Sequence, residues 1–508
     1  VWRGESLRGP LAPGRGDREQ QNGRHETSAE LHRVDIMDDA VIAKPPLPID
    51  PLLPEVLAAL RDSGALVLRA PTGAGKTTRM PPALLDAFEG EVLLLEPRRV
   101  AARAAARRMA HEHGSPLGDL FGYHVRFDRK VGLRTRAIAV TPGILLRRLH
   151  DDPFLESVSA VVFDEFHERG LDSDLALGMV RLIREVRPEL RVVVMSATID
   201  AGPIAAYLGG CPVLTSEGRS FPVEVRYRPR TPIATAIRET LADTPGDLLA
   251  FLPGVREIRQ TAAEIDGFCR DAGIAVLPLY GDLPPEQQDR ALQKLPTRKV
   301  VLATNVAETS VTVDGVTAVV DTGLARVQEF DASVGMDRLR LGPISRASAD
   351  QRAGRAGRTH PGICVRLWDE IGHRARPEQA EPEIRRVDLA TAVLHLLAVG
   401  ESDAERFPWL DPPRPEAVAA ARELLDRLGA TADGKLTDIG VSLAGLPVHP
   451  RLGRLLVEGQ LLGVGSRAAL AAALLSERDP FDREQFAGPS APTESDLLDR
   501  VEALEEFE

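Results

Sequence analysis

What most restricts the fold of this chain is a repeated pattern of short, unbroken apolar runs, each followed by an amphipathic helical stretch. The first series is ALVLRAP (65–71), EVLLLEP (91–97), AIAVTP (137–142), AVVFDE (160–165) and RVVVMSA (191–197). A second follows GRSFPVEVRYRPR (218–230) and runs DLLAFLPG (247–254), AVLPLYG (275–281), KVVLATN (299–305), TAVVDTG (317–323) and ICVRLW (363–368). Continuous Val/Ile/Leu runs mark strands buried on both faces, as happens when crossover helices cover both sides of a parallel sheet. The expected class is therefore α/β, with two such domains in tandem. From about residue 384 the pattern changes to helices, such as PEAVAAARELLDRLGA and SRAALAAALLSE, with few strand-like runs.

A length of 508 residues agrees with this, since about 150 residues per domain gives roughly three domains. No stretch approaches the run of about 20 apolar residues that spans a bilayer. Segment 1–36 is rich in Gly and Arg and lacks the apolar core of a secretory signal, so a cytoplasmic location is expected. Residues 1–44 read as a disordered tail. With Val1 in place of Met, translation is expected to start at Met37. Cys211, Cys269 and Cys364 are too scattered for a metal knuckle or a disulfide framework and read as free thiols. The net charge of −12 does not exclude a nucleic-acid partner, because a phosphate-binding surface needs only a local basic stripe. Only six of the 63 basic residues are Lys, a bias that makes arginine abundance alone uninformative.

APTGAGKTT (70–78) stands between a strand run and a helical stretch, where consecutive backbone N–H groups can cradle phosphates. Ala70, Pro71, Thr72, Gly73, Ala74, Gly75, Lys76, Thr77 and Thr78 are the candidate nucleotide-binding residues. Lys76 would reach the β- and γ-phosphates, and the Thr77 hydroxyl would join Mg²⁺. Gly73 and Gly75 allow positive φ and close backbone approach, while Ala70 stands where the general phosphate-loop pattern has its first Gly. Further on, AVVFDEFHERG ends a strand in Asp164 and Glu165, two carboxylates at the edge of the sheet where ligands bind. Phosphoryl transfer to water needs a bridging metal and a group that orients the nucleophile. Asp164 is assigned to Mg²⁺ through its waters, and Glu165 to the metal site and the attacking water. A solvated strand cap is the bland alternative. In QRAGRAGR (351–358), Arg355 and Arg358 are three apart and can face one way on a helix. They are candidates to stabilise γ-phosphate charge when the domains close. The alternative is a solvated helix start or an RNA-contacting patch.

Taken in order with PRRVAARAAARRMA (97–110), TPG (141–143), SAT (196–198), LAFLPG (249–254) and TNVAETSVTVDGV (304–316), these segments resemble the motifs of superfamily-two helicases of the DEAH/RHA group. DEFH (164–167) stands where the group spells DEAH. Phe166 with the following HERG, and AAALLSERDPF (471–481), are similar to the bacterial HrpB-type branch. The resemblance implies two RecA-like domains at 45–217 and 218–381, a winged-helix-like region at 382–450 and a helical bundle at 451–508. The group's oligonucleotide-binding domain has no counterpart before Glu508, so the bundle is expected to be cut short.

The resemblance also implies ATP and Mg²⁺ as cofactors, single-stranded RNA as partner, and hydrolysis driving 3′→5′ translocation with duplex unwinding or remodelling. By position it puts Arg98, Arg99, Thr141, Thr304 and Asn305 on the RNA backbone, where contacts grip without reading sequence. It makes Ser196 and Thr198 coupling residues, His167 a bridge from Glu165 to the second domain, and Gln351 a neighbour of the attacking water. Arg108 would stack on the base, with Leu292 where the group has an aromatic, which implies weak base selectivity. Phe166 is expected in the core. LARVQEFDASVGMDRLRLGPIS (324–345) sits where the group has a strand-separating hairpin, with an ordinary surface hairpin as the alternative. Two other functions stay open: a DNA helicase or translocase, since backbone contacts do not reveal whether a 2′-OH is read, and a nucleotide-switched nucleic-acid-binding scaffold with little unwinding.

Overall fold

The computed structural model describes residues 46–71, 73–198, 200–217, 221–309, 313–331, 335–476 and 495–506. Thr72, the 1–44 tail with Met37, residues 310–312, and 477–481 of the AAALLSERDPF segment lie outside them. Among the described residues, no helix is long and apolar enough to cross a membrane.

The first sheet contains β1 (Ala65–Arg69), β2 (Glu91–Leu95), β3 (Phe121–Val125), β4 (Asp128–Lys130), β5 (Ala137–Val140), β6 (Val158–Phe163), β7 (Arg191–Ser196) and β8 (Val213–Thr215). Its order is β4-β3-β5-β2-β6-β7-β1-β8. Every neighbouring pair is parallel, as expected, except the short edge strand β4, which runs antiparallel to β3. Its helices are α1 (Leu53–Ser63), α2 (Lys76–Ala87), α3 (Arg99–Glu112), α4 (Pro142–Asp151), α5 (Leu171–Val186) and α6 (Ala201–Tyr207). Alternate residues of the central strands serve opposite faces, as the two-residue strand period requires. Leu66, Leu68, Val193 and Met195 pack with α1, α2 and α3, whereas Val67, Val161, Phe163 and Val192 pack with α4, α5 and α6.

The second sheet contains β9 (Val223–Tyr227), β10 (Asp247–Phe251), β11 (Ala275–Leu279), β12 (Lys299–Ala303) and β13 (Val316–Asp321). A hairpin of β14 (Leu324–Asp331) and β15 (Met336–Pro343) then leaves the sheet, and β16 (Gly362–Arg366) completes it. The order is β11-β12-β10-β13-β16-β9, parallel throughout. It carries α7 (Ile233–Asp243), α8 (Val255–Asp271), α9 (Pro285–Leu292), α10 (Arg346–Gly354) and α11 (Glu370–Arg374). Two tandem parallel sheets with helices on both faces are thus what the apolar runs imply. The strands that the runs do not announce lie at a sheet edge or one strand in from it. FGYHV in β3 holds a Gly and a His, and VEVRY in β9 alternates with charge because an edge strand is only partly covered.

The C-terminal region has α12 (Ala390–Ala398), α13 (Pro415–Arg427), the small pair β17 (Thr431–Ala432) and β18 (Lys435–Leu436), α14 (Asp438–Ala444), α15 (Pro450–Leu461), α16 (Gly465–Ser476) and α17 (Asp496–Glu505). Its apolar face is continuous with the first domain. Ile384, Val393, Leu396, Phe407, Val418, Leu425 and Leu443 belong to the same buried cluster as the α4–α5 side of the first sheet. Gly178 on α5 makes this contact possible: a Cβ there would lie 2.4 Å from the Phe407 ring. The hairpin leans on the same region, with Phe330 N–H donating to the Arg386 carbonyl at 2.8 Å and Asp388 N–H to Asp337 Oδ1 at 2.9 Å.

Candidate active site

The phosphate loop emerges from β1 and ends in α2. Ala70 N–H donates to the Ser196 carbonyl at 3.1 Å and Ala74 N–H to Pro71 at 3.2 Å, so the loop closes on itself and on β7. Gly73 and Gly75 adopt φ of +90° and +93°, the left-handed region that glycine enters without steric cost. Lys76 begins α2 with Thr77 and Thr78 in the same turn.

β6 delivers the two carboxylates. Lys76 Nζ donates to Glu165 Oε1 at 2.7 Å and lies 3.6 Å from Asp164 Oδ1. The Thr77 hydroxyl donates to Asp164 Oδ2, and Glu165 N–H donates to Asp164 Oδ1 at 2.7 Å. Glu165 and Arg169 have φ of +47° and +48° on either side of the turn Phe166–Glu168. For non-Gly residues this conformation costs about 1–2 kcal/mol each, and it turns the Glu165 side chain back toward Lys76. Phe166 is buried in the core, as expected.

Burial opposes ionisation of Glu165, but Lys76, His167 and Arg355 outweigh it and hold the carboxyl at about 2. Asp164 is raised by burial and by Glu165, against the pull of Lys76. Glu96, which follows β2, was not singled out in the sequence. It is fully buried and has no hydrogen-bond partner at either carboxylate oxygen. Burial and the nearby Asp164 and Glu165 push it well above the usual carboxylate range. Three carboxylates near one ammonium leave an excess of negative charge, and the Thr77 hydroxyl with the Asp164 and Glu165 carboxylates are hard oxygen donors of the kind that suits Mg²⁺.

The second domain closes over this group. His167 Nδ1 lies 3.4 Å from Glu165 Oε2 and from Ser196 Oγ. The Gln351 amide nitrogen lies 2.9 Å from His167 Nε2 and donates to Thr198 Oγ1 at 2.9 Å. Gln351, His167, Ser196, Thr198 and Glu165 are therefore one connected set. Arg355 and Arg358 follow on the turn after α10, and both sit within electrostatic reach of Glu165. Arg355 donates to the Glu308 carbonyl at 2.9 Å and to the Thr309 carbonyl. Burial lowers both guanidinium pKa values, that of Arg358 to about 10.

Arg352, between these motif positions, was also missed. It is fully buried, donating to Glu308 at 2.8 Å and Asp321 at 2.9 Å, with its guanidinium carbon 4.7 Å from the centroid of the Phe251 ring. Glu168 is another omission. It accepts from Arg98 at 3.1 Å and from the Thr309 hydroxyl, joining the domains beside the catalytic group. Neither could be read from local spacing, because the partners lie 31 to 141 residues away.

The candidate RNA contacts stand at carboxyl ends of strands. Arg98 follows β2 and donates to the Asn305 carbonyl, which begins the turn after β12. Thr304 starts that turn, and Thr141 starts α4 after β5, the neighbour of β2. Arg99 is half-exposed, 3.5 Å from Asp282. Arg108 is not joined to these residues. Its Nε donates to Glu112 one turn on at 2.5 Å, while Leu292 packs against the second-domain core. Elsewhere α3 binds the second domain: Arg103 donates to Gln288 at 3.0 Å, Arg107 pairs with Asp289, and Val100 and Ala101 enter the second-domain core.

A sequence model described as DEAD/DEAH box helicase matches residues 53–205, and one described as helicase conserved C-terminal domain matches 233–360. The chain is similar to the ATP-dependent RNA helicase HrpB of Escherichia coli (strain K12), 42% identical over 443 residues, or 85% of this chain and 55% of that protein. It is also similar to the ATP-dependent RNA helicase HrpA of the same strain, 38% identical over 458 residues, or 86% of this chain and 35% of that protein. The crystal structure of the Escherichia coli DEAH/RHA helicase HrpB superposes with a TM-score of 0.82 at 39% identity, covering 91% of this chain and 60% of the other. The chain thus spans between about a third and just over half of the curated relatives it matches.

Proposed function

This chain belongs to the DEAD/DEAH box helicases of the bacterial HrpA and HrpB type, and from that premise we propose that it is the motor core of an ATP-dependent RNA helicase. It binds ATP between two RecA-like domains, which we place at 45–217 and 218–381, followed by a winged-helix-like region at 382–450 and a helical bundle at 451–508. Hydrolysis drives 3′→5′ movement on single-stranded RNA in the cytoplasm, unwinding duplexes or remodelling RNA–protein complexes. The observation that carries this reading is the side-chain bridge from Glu165 through His167 to Gln351 and Thr198. Because the bridge joins the hydrolytic carboxylate to the opposite domain, a change at the phosphates and a change in domain spacing each move the other.

Lys76 holds Glu165 Oε1. Phosphates drawn to the loop compete for its ammonium, and the carboxylate so relieved can orient water and accept its proton. The depressed pKa of Glu165 keeps it ionised at neutral pH. Thr77, Asp164 and Glu165 would hold Mg²⁺, which when bound supplies countercharge to the β- and γ-phosphates. Arg355 and Arg358 approach from the second domain to stabilise charge developing on the γ-phosphate. Arg98, Arg99, Thr141, Thr304 and Asn305 grip one strand through its phosphates, and the β14–β15 hairpin parts the strands.

Steady-state ATP hydrolysis by the chain alone, with single-stranded RNA and with single-stranded DNA of the same sequence, tests this at one fixed salt concentration. Stimulation by RNA well above DNA is expected. Equal stimulation would widen the substrate to DNA, and no hydrolysis in any condition would remove the motor.

A further inference from the structure

The turn Phe166–Glu168 lies between two residues in the left-handed region, Glu165 at φ +47° and Arg169 at φ +48°. Non-glycine residues keep that conformation only when their surroundings enforce it. At the Glu165 end the enforcing partners are those of the hydrolytic site, whereas at the Arg169 end one of them comes from the C-terminal region. We propose that Asp411 is a positioning residue for hydrolysis: through Arg169 it holds the far end of this turn, and so aims Glu165 and His167 at the nucleotide. This rests on the ATP-hydrolysis reading above and adds a C-terminal residue to the control of its rate.

Arg169 Nε donates to Asp174 Oδ1 at 2.9 Å, and its Nη2 donates to Asp174 Oδ2 at 2.8 Å and to Asp411 Oδ2 at 2.6 Å. Asp174 on α5 is fully buried and takes the guanidinium with both oxygens, so it sets the plane of the fork from within the first domain. Asp411, in the loop between α12 and α13, holds the same nitrogen from the C-terminal side. The guanidinium carbon lies 5.7 Å from the centroid of the Phe166 ring, which meets Phe163 edge-on beneath the turn. The backbone is held at the same place. Arg169 N–H donates to the Phe166 carbonyl at 3.1 Å, and the Arg169 carbonyl accepts from Glu383 N–H at 3.0 Å.

Asp411 is itself fixed. Phe407 packs over Gly178 of α5, the Phe407 and Trp409 ring centroids are 4.7 Å apart, and Trp409 Nε1 donates to the Ala404 carbonyl at 2.8 Å. The Tyr207 hydroxyl, at the end of α6, donates to the Pro408 carbonyl. The loop that carries Asp411 is thus seated on α5 and α6 before its carboxylate reaches Arg169, which makes the contact a fixed point rather than a surface pair able to drift. Without that carboxylate the Arg169 side chain would keep Asp174 alone, five residues along the same segment. The turn would then lose its side-chain anchor in the C-terminal region, and a displaced carboxylate orients water less well.

The test combines RNA-stimulated ATP hydrolysis with amide hydrogen exchange of segment 165–171, in the full chain and in its Asp411→Ala, Asp411→Asn and Tyr207→Phe variants. Asp411→Ala should lower kcat about 3- to 30-fold, the scale of a slightly displaced catalytic group, with KM for ATP little changed. It should also speed exchange at the Glu168 and Arg169 N–H groups, which close the turn on the Glu165 and Phe166 carbonyls. Asp411→Asn keeps an acceptor oxygen for Arg169 and should lose less on both counts. Tyr207→Phe removes the hydrogen bond to Pro408 in the same loop but leaves the Arg169 contact, so it should lower the melting temperature without moving kcat. Equal kcat losses in Tyr207→Phe and Asp411→Ala would overturn the proposal, because the joint as a whole would then matter rather than the Arg169 contact. Unchanged exchange in Asp411→Ala would overturn it too, as would an unchanged kcat. Exchange is read without turnover, so a wild type that fails to hydrolyse ATP would remove the motor reading and still leave exchange to decide this one.

Discussion

The joint between the first domain and the C-terminal helices contains a pair of histidines whose titration should weaken the protein in mild acid. His150 on α4 and His395 on α12 face each other, with Nε2 of the first 3.0 Å from Nδ1 of the second. Burial, and then the other ring, lower the pKa of His395 from 6.5 to about 4. His150 is lowered as well, by burial and then Arg147, with Asp151 opposing. A histidine whose folded pKa is depressed lends stability that is complete above its unfolded value and lost as pH falls from 6.5 toward 4. Linkage for His395 alone gives a loss of about 2 kcal/mol at pH 5 relative to pH 7.5. That corresponds to roughly 4–8 °C in the melting of a domain of 150–250 residues. His395→Gln removes the titrating group and one hydrogen bond, so it should start about 1 kcal/mol lower at neutral pH yet fall less between pH 7.5 and 5. Thermal unfolding followed by circular dichroism at the two pH values measures the difference. Equal losses in wild type and variant would refute the reasoning.

Three further outcomes follow from the geometry. Lys76→Ala should abolish nucleotide binding or turnover while Glu165→Gln binds ATP and barely turns over; retained hydrolysis in both would contradict their roles. Gln351→Ala removes the link between His167 and Thr198, and should lower RNA-stimulated kcat by about 10- to 100-fold, on the scale of one lost positioning contact, with KM for ATP little changed, as steady-state kinetics would show. Gly178→Ala drives a methyl into the Phe407 ring and should cost about 1–3 kcal/mol by overpacking; an unchanged melting temperature would mean that α5 does not seat that ring.

The fold was legible where strands are buried on both faces, because an unbroken run such as KVVLA or VSAVVF has one reading. It was illegible at β3, one strand in from an edge, and at the edge strand β9, where the Gly and His of the first and the alternating charges of the second give no continuous signal. The phosphate loop and Asp164–Glu165 could be found because their chemistry depends on neighbours in sequence. Glu96, Glu168 and Arg352 could not, since what marks them is burial or contact with partners far along the chain, and a glutamate after a strand resembles any other until its surroundings exist. Nor does an apolar helix state which sheet it covers: α12, α13 and α14 read as a separate C-terminal region, yet share the first domain's core.

That shared core sets an order of events during synthesis. The last strand of the first sheet ends at Thr215, but the residues that seal its α5 side begin at Ile384. At about 5–20 residues per second the ribosome needs roughly 10–30 s to cover that distance. Meanwhile the whole second sheet emerges, through Arg366. The domain that is translated first is therefore finished last, and its Gly178 face waits uncovered while a later neighbour matures. A chain released near residue 380 would carry that apolar face permanently, which makes it a substrate for chaperones and proteases rather than a smaller working enzyme.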